Sequence, residues 1–203
     1  EFRRVLFRSS IGRTEEYFYM PVFESAAMIP PQTRREALTE VRAQLDTVSG
    51  SILNIRVGGN DLSHAFGLRR PANRTIYDLR PVADILIDIV AAFGTQYVVS
   101  GPVWEYYSGE GWEEGLRREM ELDLLNGFTG KTVIHPNQIP VVNEMLRVSQ
   151  RDYADARAIL NWDTGSGSLV SASEDGGRMN EYNTHSRWAR RIVLRAERYG
   201  VRA

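Results

Sequence analysis

Cysteine is absent from the 203 residues. That absence excludes disulfides, thiolate metal sites and a cysteine nucleophile at once, and leaves oxygen and imidazole to hold any metal. Histidine is scarce: His64, His135 and His185 lie far apart and none belongs to an HxxxH pair, which argues against a zinc site. An excess of one charge is also missing. Lysine and arginine number 25 against 26 acidic residues, a formal charge of −1, so no whole-protein field gathers nucleic acid and no nucleic-acid partner is expected. No apolar run approaches the ~20 residues of a membrane span, and no charged-then-apolar leader with a small-residue cleavage site opens the chain. The expectation is a cytoplasmic protein with no membrane partner. A GxSxG elbow and a solenoid repeat are lacking as well. The chain is also short, since a barrel of eight βα units typically needs ~250 residues.

What is present is an alternation. Residues 1–9, EFRRVLFRS, show no period and look like the translation of a sequencing-library adapter. Residues 1–10 are therefore set apart as a non-native segment, and the natural chain is expected to begin further upstream. Residues 17–24, YFYMPVFE, read as a strand ending in a carboxylate. Thr33 then caps a helix carrying Leu38, Val41 and Leu45, closed by Ser49 and Gly50. Residues 51–57, SILNIRV, form the second strand, with Leu53, Ile55 and Val57 on one face and Asn54 and Arg56 on the other. A helix over 82–93 leads to the third strand at 97–100, and a helix over 112–126 stops at Gly127. Residues 132–134 are the fourth strand, followed by Pro136 and a helix over 138–148. Strand and helix thus alternate four times over residues 11–149, the pattern of an α/β parallel sheet and of half a barrel. Residues 150–203 break the pattern: a helix over 153–160, a Gly- and Ser-rich stretch over 163–177 expected to be a flexible loop, and a basic amphipathic helix over 184–199. The apolar stripe of that last helix, with Trp188, Ile192 and Leu194, has no strand of its own to cover and is expected across a subunit boundary.

Glu24 ends the first strand, and Asp61 follows the second through Gly58, Gly59 and Asn60, so both carboxylates fall at the C-terminal rim where barrel enzymes keep their sites. Two hard oxygen ligands from neighbouring strands suit Mg²⁺ or Mn²⁺, and the glycines let backbone approach a ligand. The same residues have a plainer reading, in which Asp61 caps a helical turn through Ala65 and Glu24 pairs with an arginine. In residues 127–139, GFTGKTVIHPNQI, the GKT string is no phosphate loop: Leu125 stands where the earlier glycine is needed, and the string precedes a strand instead of joining strand to helix. Lys131 is then a substrate contact or an ordinary strand-entry charge. His135 is a proton-transfer group or a strand-end histidine bonded to backbone. Trp104, Tyr106 and Tyr107, around Glu105, line a pocket or a subunit contact.

Taken in order, the strings MPVFESA, VGGNDLS and GFTGKTVIHPNQIPVVN resemble the citrate lyase β-subunit and HpcH/HpaI aldolase superfamily of TIM barrels. The resemblance implies an α/β chain that is the C-terminal half (strands 5–8) of a TIM (β/α)8 barrel plus C-terminal helices. It also implies Mg²⁺ on Glu24, at the position of the strand-five glutamate, and on Asp61, at that of the aspartate after strand six. GGNDLSHAFGLRR, TIYDLRPVAD, VVSGPVWEYY and NEYNTHSRWARRIVLRAERYGV narrow the resemblance to bacterial C–C bond lyases of the TIM-barrel fold from operons associated with tellurite resistance. The superfamily's strand-three arginine and early acidic motif would lie upstream of residue 11. SGPVWEYY departs from the pattern of coenzyme A thioester lyases, which argues against a CoA substrate. Relatives of this kind imply a homo-oligomer, a trimer or hexamer.

The resemblance thus implies a carbon–carbon lyase acting on a 2-oxo acid or related carbonyl compound, in which Mg²⁺ on Glu24 and Asp61 acts as a Lewis acid and stabilises the enolate left by bond cleavage. Asn54, Arg56 and the amides of Gly58 and Gly59 are the candidates for positioning the substrate carboxylate or oxyanion, with Lys131 a further substrate contact. Arg56, Glu105 and His135 are the candidates for catalytic roles. The alternatives are a non-catalytic assembly subunit of a biosynthetic operon and a metal-dependent thioester or phosphoester hydrolase. As half a barrel, the chain alone is expected to be an inactive fragment with open sheet edges.

Overall fold

The structure, a computed structural model, describes residues 17–162 and 170–202. The adapter-like opening and residues 163–169 of the expected loop lie outside the described residues. The chain divides into two compact units, one of Glu1–Trp104 with Leu122–Thr132, the other of Glu105–Glu121 with Val133–Ala203.

The first unit is built on four parallel strands: β1 (Val22–Phe23), β2 (Ile55–Val57), β3 (Val99–Gly101) and β4 (Gly130–Lys131). Their order in the sheet is their order in the sequence. A doubly wound sheet reverses its strand order at a switch point, whereas a barrel winds on in one direction, so this order is the barrel type. Helices α1 (Pro31–Asp46), α2 (Gly59–Ala65) and α3 (Arg80–Phe93) fall between successive strands. Register places Val22 beside Arg56, Arg56 beside Ser100 and Ser100 beside Gly130, so these four share one face. The other face carries Phe23, Ile55, Val57 and Val99, which pack with Leu38, Leu45, Ile85, Leu86, Ile89 and Phe93 into the core. Phe23 and Phe93 meet with ring centroids 4.9 Å apart.

Local chemistry explains where these elements start and stop. Helix α1 begins two residues ahead of Thr33, because Pro31 occupies its first turn, where a missing N–H costs nothing. Thr33 instead lies inside the helix and donates its hydroxyl to the carbonyls of Ala27 and Pro30. Ahead of α3, Thr75 and Asp78 form a reciprocal capping box on the short helix Ile76–Asp78. The expected first strand shrinks to Val22–Phe23 and an isolated bridge between Tyr19 and Ile52. The fourth strand lies not at 132–134 but at Gly130–Lys131. Thr132 still donates its N–H to Gly101, but that of Ile134 goes to the side chain of Gln138, which ends the ladder.

The second unit contains most of α4 (Trp112–Leu125), then α5 (Gln138–Met145), β5 (Val148–Ser149) and α6 (Gln150–Leu160). The antiparallel pair β6 (Val170–Ala172) and β7 (Met179–Glu181) leads into α7 (Tyr182–Tyr199), and β8 (Val201–Arg202) pairs with β5. Ser149 caps α6 by accepting the N–H of Asp152 at 3.0 Å, which is why this helix starts before Tyr153. Arg178, in the hairpin, pairs with Asp152 and Asp155 of α6 and lies over the Trp188 ring. The stripe on α7 is covered within the chain: Ala189, Ile192 and Ala196 are buried with Val148, Ala156 and Ile159. Only Leu194 of the expected contact residues remains largely exposed. The apolar stripe of α7 therefore packs on α6 and β5 of its own chain and needs no second subunit to cover it.

Candidate metal centre

The C-terminal end of β2 turns at Gly58, whose N–H continues the ladder by donating to Phe23 at 3.0 Å. The turn passes straight into α2, with Asp61 in its first turn. A Cβ on Gly58 would lie 2.4 Å from both the Cβ and Oε2 of Glu24 and 3.3 Å from Oδ2 of Asp61. The two carboxylate oxygens therefore stand no further apart than the sum of those distances, over a backbone with no side chain. Both carboxylates are solvent-exposed. Neither takes part in a hydrogen bond or ion pair among the described residues, and α2 has no side-chain cap. The plainer readings, Asp61 as cap and Glu24 as an arginine's partner, are thus not what the structure shows.

The chemistry of this pair fits a hard divalent cation. Both donors are carboxylate oxygens, and no group of three or more acidic or histidine side chains that could enclose a metal occurs among the described residues. A cation held here keeps several positions for water and substrate oxygen, as Mg²⁺ characteristically does. The adjoining sheet face is polar towards the same end. Asn54 donates to Ser100 Oγ at 2.9 Å, and Arg56, half-buried beside Val22, reaches Thr132 Oγ1 at 3.4 Å. Glu24 lies two residues beyond Val22 and so on the same side of its strand.

Gly58 and Gly59 serve the site differently from the expected oxyanion amides. The Gly58 N–H is already used by the sheet. Gly59 is a close-packing position: its Cβ would fall 2.6 Å from Ile76 and from Pro102. Lys131, expected as a substrate contact, is the chain's single lysine, and its side chain is 0% exposed. It alternates with Gly130 and so faces the helical layer, where Nζ pairs with Asp123 Oδ2 at 2.8 Å. Tyr77 donates to the other oxygen of Asp123 at 2.7 Å. A substrate contact would require this enclosed pair to open.

Glu105 and His135 belong to the second unit. His135 stacks on Tyr107 with ring centroids 4.3 Å apart, and its Nδ1 accepts the N–H of Asn137 at 3.2 Å. Asn137 and Gln138 in turn donate to the carbonyls of Tyr107 and Tyr106. The IHPNQ string is thus the clamp of the aromatic loop. With Nδ1 accepting, neutral His135 carries its proton on Nε2 and is set to donate. Sequence reasoning missed Asp123, Tyr77 and Arg70. Arg70 closes the GGNDLSHAFGLRR string and Asp123 stands eight residues before Lys131, so the signal for both was nearby, whereas Tyr77 is 46 residues from the carboxylate it bonds.

Parallel strands wound in sequence order, with paired carboxylates beyond their C-terminal ends, define a barrel-type α/β architecture. The chain belongs to the C–C bond lyase family of the TIM-barrel fold, whose model matches residues 2–201. It is similar to the L-malyl-CoA/beta-methylmalyl-CoA lyase of Cereibacter sphaeroides, 38% identical over 74 residues, which is 36% of this chain and 22% of that protein. Among solved structures it is similar to CitE from Mycobacterium tuberculosis, in complex with magnesium, acetoacetate and coenzyme A, with 25% identity and a TM-score of 0.54 over 72% of this chain and 53% of that one. A citrate lyase from Burkholderia xenovorans shares the fold, with a TM-score of 0.66 at 17% identity, over 98% of this chain and 58% of that one. The chain thus spans little more than half the length of these solved relatives.

Proposed function

We propose that Glu24 and Asp61 hold Mg²⁺, replaceable by Mn²⁺, and that this rim is the metal-binding part of a carbon–carbon bond lyase acting on a 2-oxo acid or related carboxylate. The observation that carries the reading is the convergence on the bare Cα of Gly58 of two carboxylates that take no hydrogen bond or ion pair among the described residues. Family membership supports the reaction class, and CitE, which was solved with magnesium, supports the metal. When bound, the cation supplies a Lewis acid for a carbonyl and a counter-charge for the oxygen that gains negative charge as the carbon–carbon bond breaks.

The chain's own residues supply binding and orientation. Arg56 offers a guanidinium on the same sheet face as Glu24, suited to a substrate carboxylate. Asn54 and Ser100 fix the polar floor beside it. The four strands correspond in this reading to strands five to eight of a complete barrel. The exposed Val22 and Val98 on the face away from the helices support that assignment, as does the length of the solved relatives. Similarity to a malyl-CoA lyase makes CoA-linked carboxylates the first substrates to assay, beside free 2-oxo acids.

Titration with Mn²⁺, followed by electron paramagnetic resonance, tests the site. One equivalent bound by the wild type and lost in both Glu24→Gln and Asp61→Asn is the expected result; binding indifferent to either substitution overturns it. Product analysis tests the chemistry, since lysis yields two carbonyl-derived fragments and hydrolysis yields an acid with a thiol or phosphate.

A further inference from the structure

Arg70 lies in the loop after α2 and is 1% exposed. Its Nη2 donates to the carbonyl of Val103 at 2.5 Å, and its Nη1 to Oδ1 of Asn60 at 3.3 Å. The guanidinium carbon stands 5.1 Å from the ring centroid of Trp104, itself 0% exposed. Val103 and Trp104 follow β3, and Asn60 immediately precedes Asp61 in the turn after β2. One buried cation therefore ties together the loops that leave two neighbouring strands at their C-terminal ends.

We infer that Arg70 is a positioning residue for the metal-binding turn, holding Asn60 against the backbone beyond β3 and thereby setting where the Asp61 carboxylate is presented. The inference rests on the assignment of Glu24 and Asp61 as metal ligands. Arginine suits this place because its planar fork directs separate N–H groups to separate acceptors while its face lies on an aromatic ring; a lysine ammonium, compact and on a flexible stem, cannot satisfy all three. The seam it spans is tight: Gly59, next to Asn60, has no room for a Cβ against Pro102. A turn packed that closely translates a loss of the Arg70 bridge into a displacement of Asp61. Partners that orient metal ligands in this way typically change metal affinity roughly ten- to a hundredfold when removed.

The test compares Mn²⁺ dissociation constants, by electron paramagnetic resonance, for the wild type, Asn60→Ala, Arg70→Lys and the double variant, with thermal melting of each metal-free protein. The expected result is a dissociation constant raised roughly tenfold or more in each single variant, with the double variant no worse than the poorer single, because both remove one bridge. Asn60→Ala is expected to melt with the wild type, so it decides the matter even if Arg70→Lys fails to fold. Unchanged affinity in Asn60→Ala, or losses that add in the double variant, overturns the positioning role while leaving the ligands intact. A wild type that binds no Mn²⁺, or Glu24→Gln and Asp61→Asn variants that bind normally, overturns the metal assignment itself and this inference with it.

Discussion

At Gly58 a missing methyl group is what allows two carboxylates to share a corner. Its φ of −87° is open to any residue, so the constraint is one of space and not of backbone strain. Gly58→Ala puts a methyl carbon 2.4 Å from Glu24 Cβ, which cannot swing away as the carboxylate end can. The expected cost is about 1–3 kcal/mol of stability, measured by denaturant unfolding, together with loss of Mn²⁺ binding. Lys131 makes the opposite case, a residue whose sequence setting suggests chemistry and whose packing shows support. Removing the ammonium in Lys131→Met takes the buried ion partner from the Asp123 carboxylate, itself 1% exposed, and should destabilise by about 3–5 kcal/mol. Mn²⁺ affinity of the folded variant should remain that of the wild type; a selective loss of binding without loss of stability would restore Lys131 to the site. As the only lysine, it also reports on opening of the first unit, because amine acylation at this position should be blocked until the unit unfolds.

Helices were legible where one face was apolar at a 3.6-residue period: α3, with Val82, Ile85, Leu86, Ile89 and Phe93 buried, lies within two residues of the expected span. Strands were legible in existence but not in extent, since β1 and β4 hold two residues each and their ends depend on which distant carbonyl or side chain takes each N–H. The cover of α7 could not be read because its partners, Val148, Ala156 and Ile159, sit on elements whose own packing partners were unknown. Ile192→Ala should therefore cost about 2–5 kcal/mol in the second unit, a loss expected of a core contact and not of a solvent-facing or vacant interface residue. Between α1 and β3, Tyr97 donates to Asp46 at 2.6 Å, and its pKa is pushed up to about 12, first by burial and then by that hydrogen bond. The unfolded phenol ionises near pH ~10, so the native state holds this proton over a window in which the unfolded chain has lost it. The contribution is complete below pH ~10 and is lost as pH rises through about 12. Tyr97→Phe should flatten this part of the stability profile, read as the pH dependence of the urea midpoint relative to the wild type.

For the molecule as a whole, the sheet face turned away from the helices decides between half a barrel and a self-sufficient layer. Register with Arg56 and Ser100 sets Val22 on that face, 41% exposed, and Val98, 49% exposed, precedes Ser100 by the two residues that keep it there. Met20, two residues before Val22, is 48% exposed. Within the described residues, β1 and β4 each pair on one side only. Apolar side chains exposed on a sheet face favour association with whatever can cover them. If these four strands are the second half of a barrel, the 203-residue chain by itself should bind a hydrophobic dye and gain mass with concentration in sedimentation velocity. Met20→Lys with Val98→Lys should suppress both effects while leaving the core of Phe23, Ile55 and Phe93, on the opposite face, and hence the melting temperature, unchanged. A wild-type chain that sediments as a monomer at all concentrations, binds no dye and melts cooperatively would show that the layer closes without four more units, and would remove the half-barrel assignment while leaving the Glu24 and Asp61 pair to be judged by its own Mn²⁺ titration.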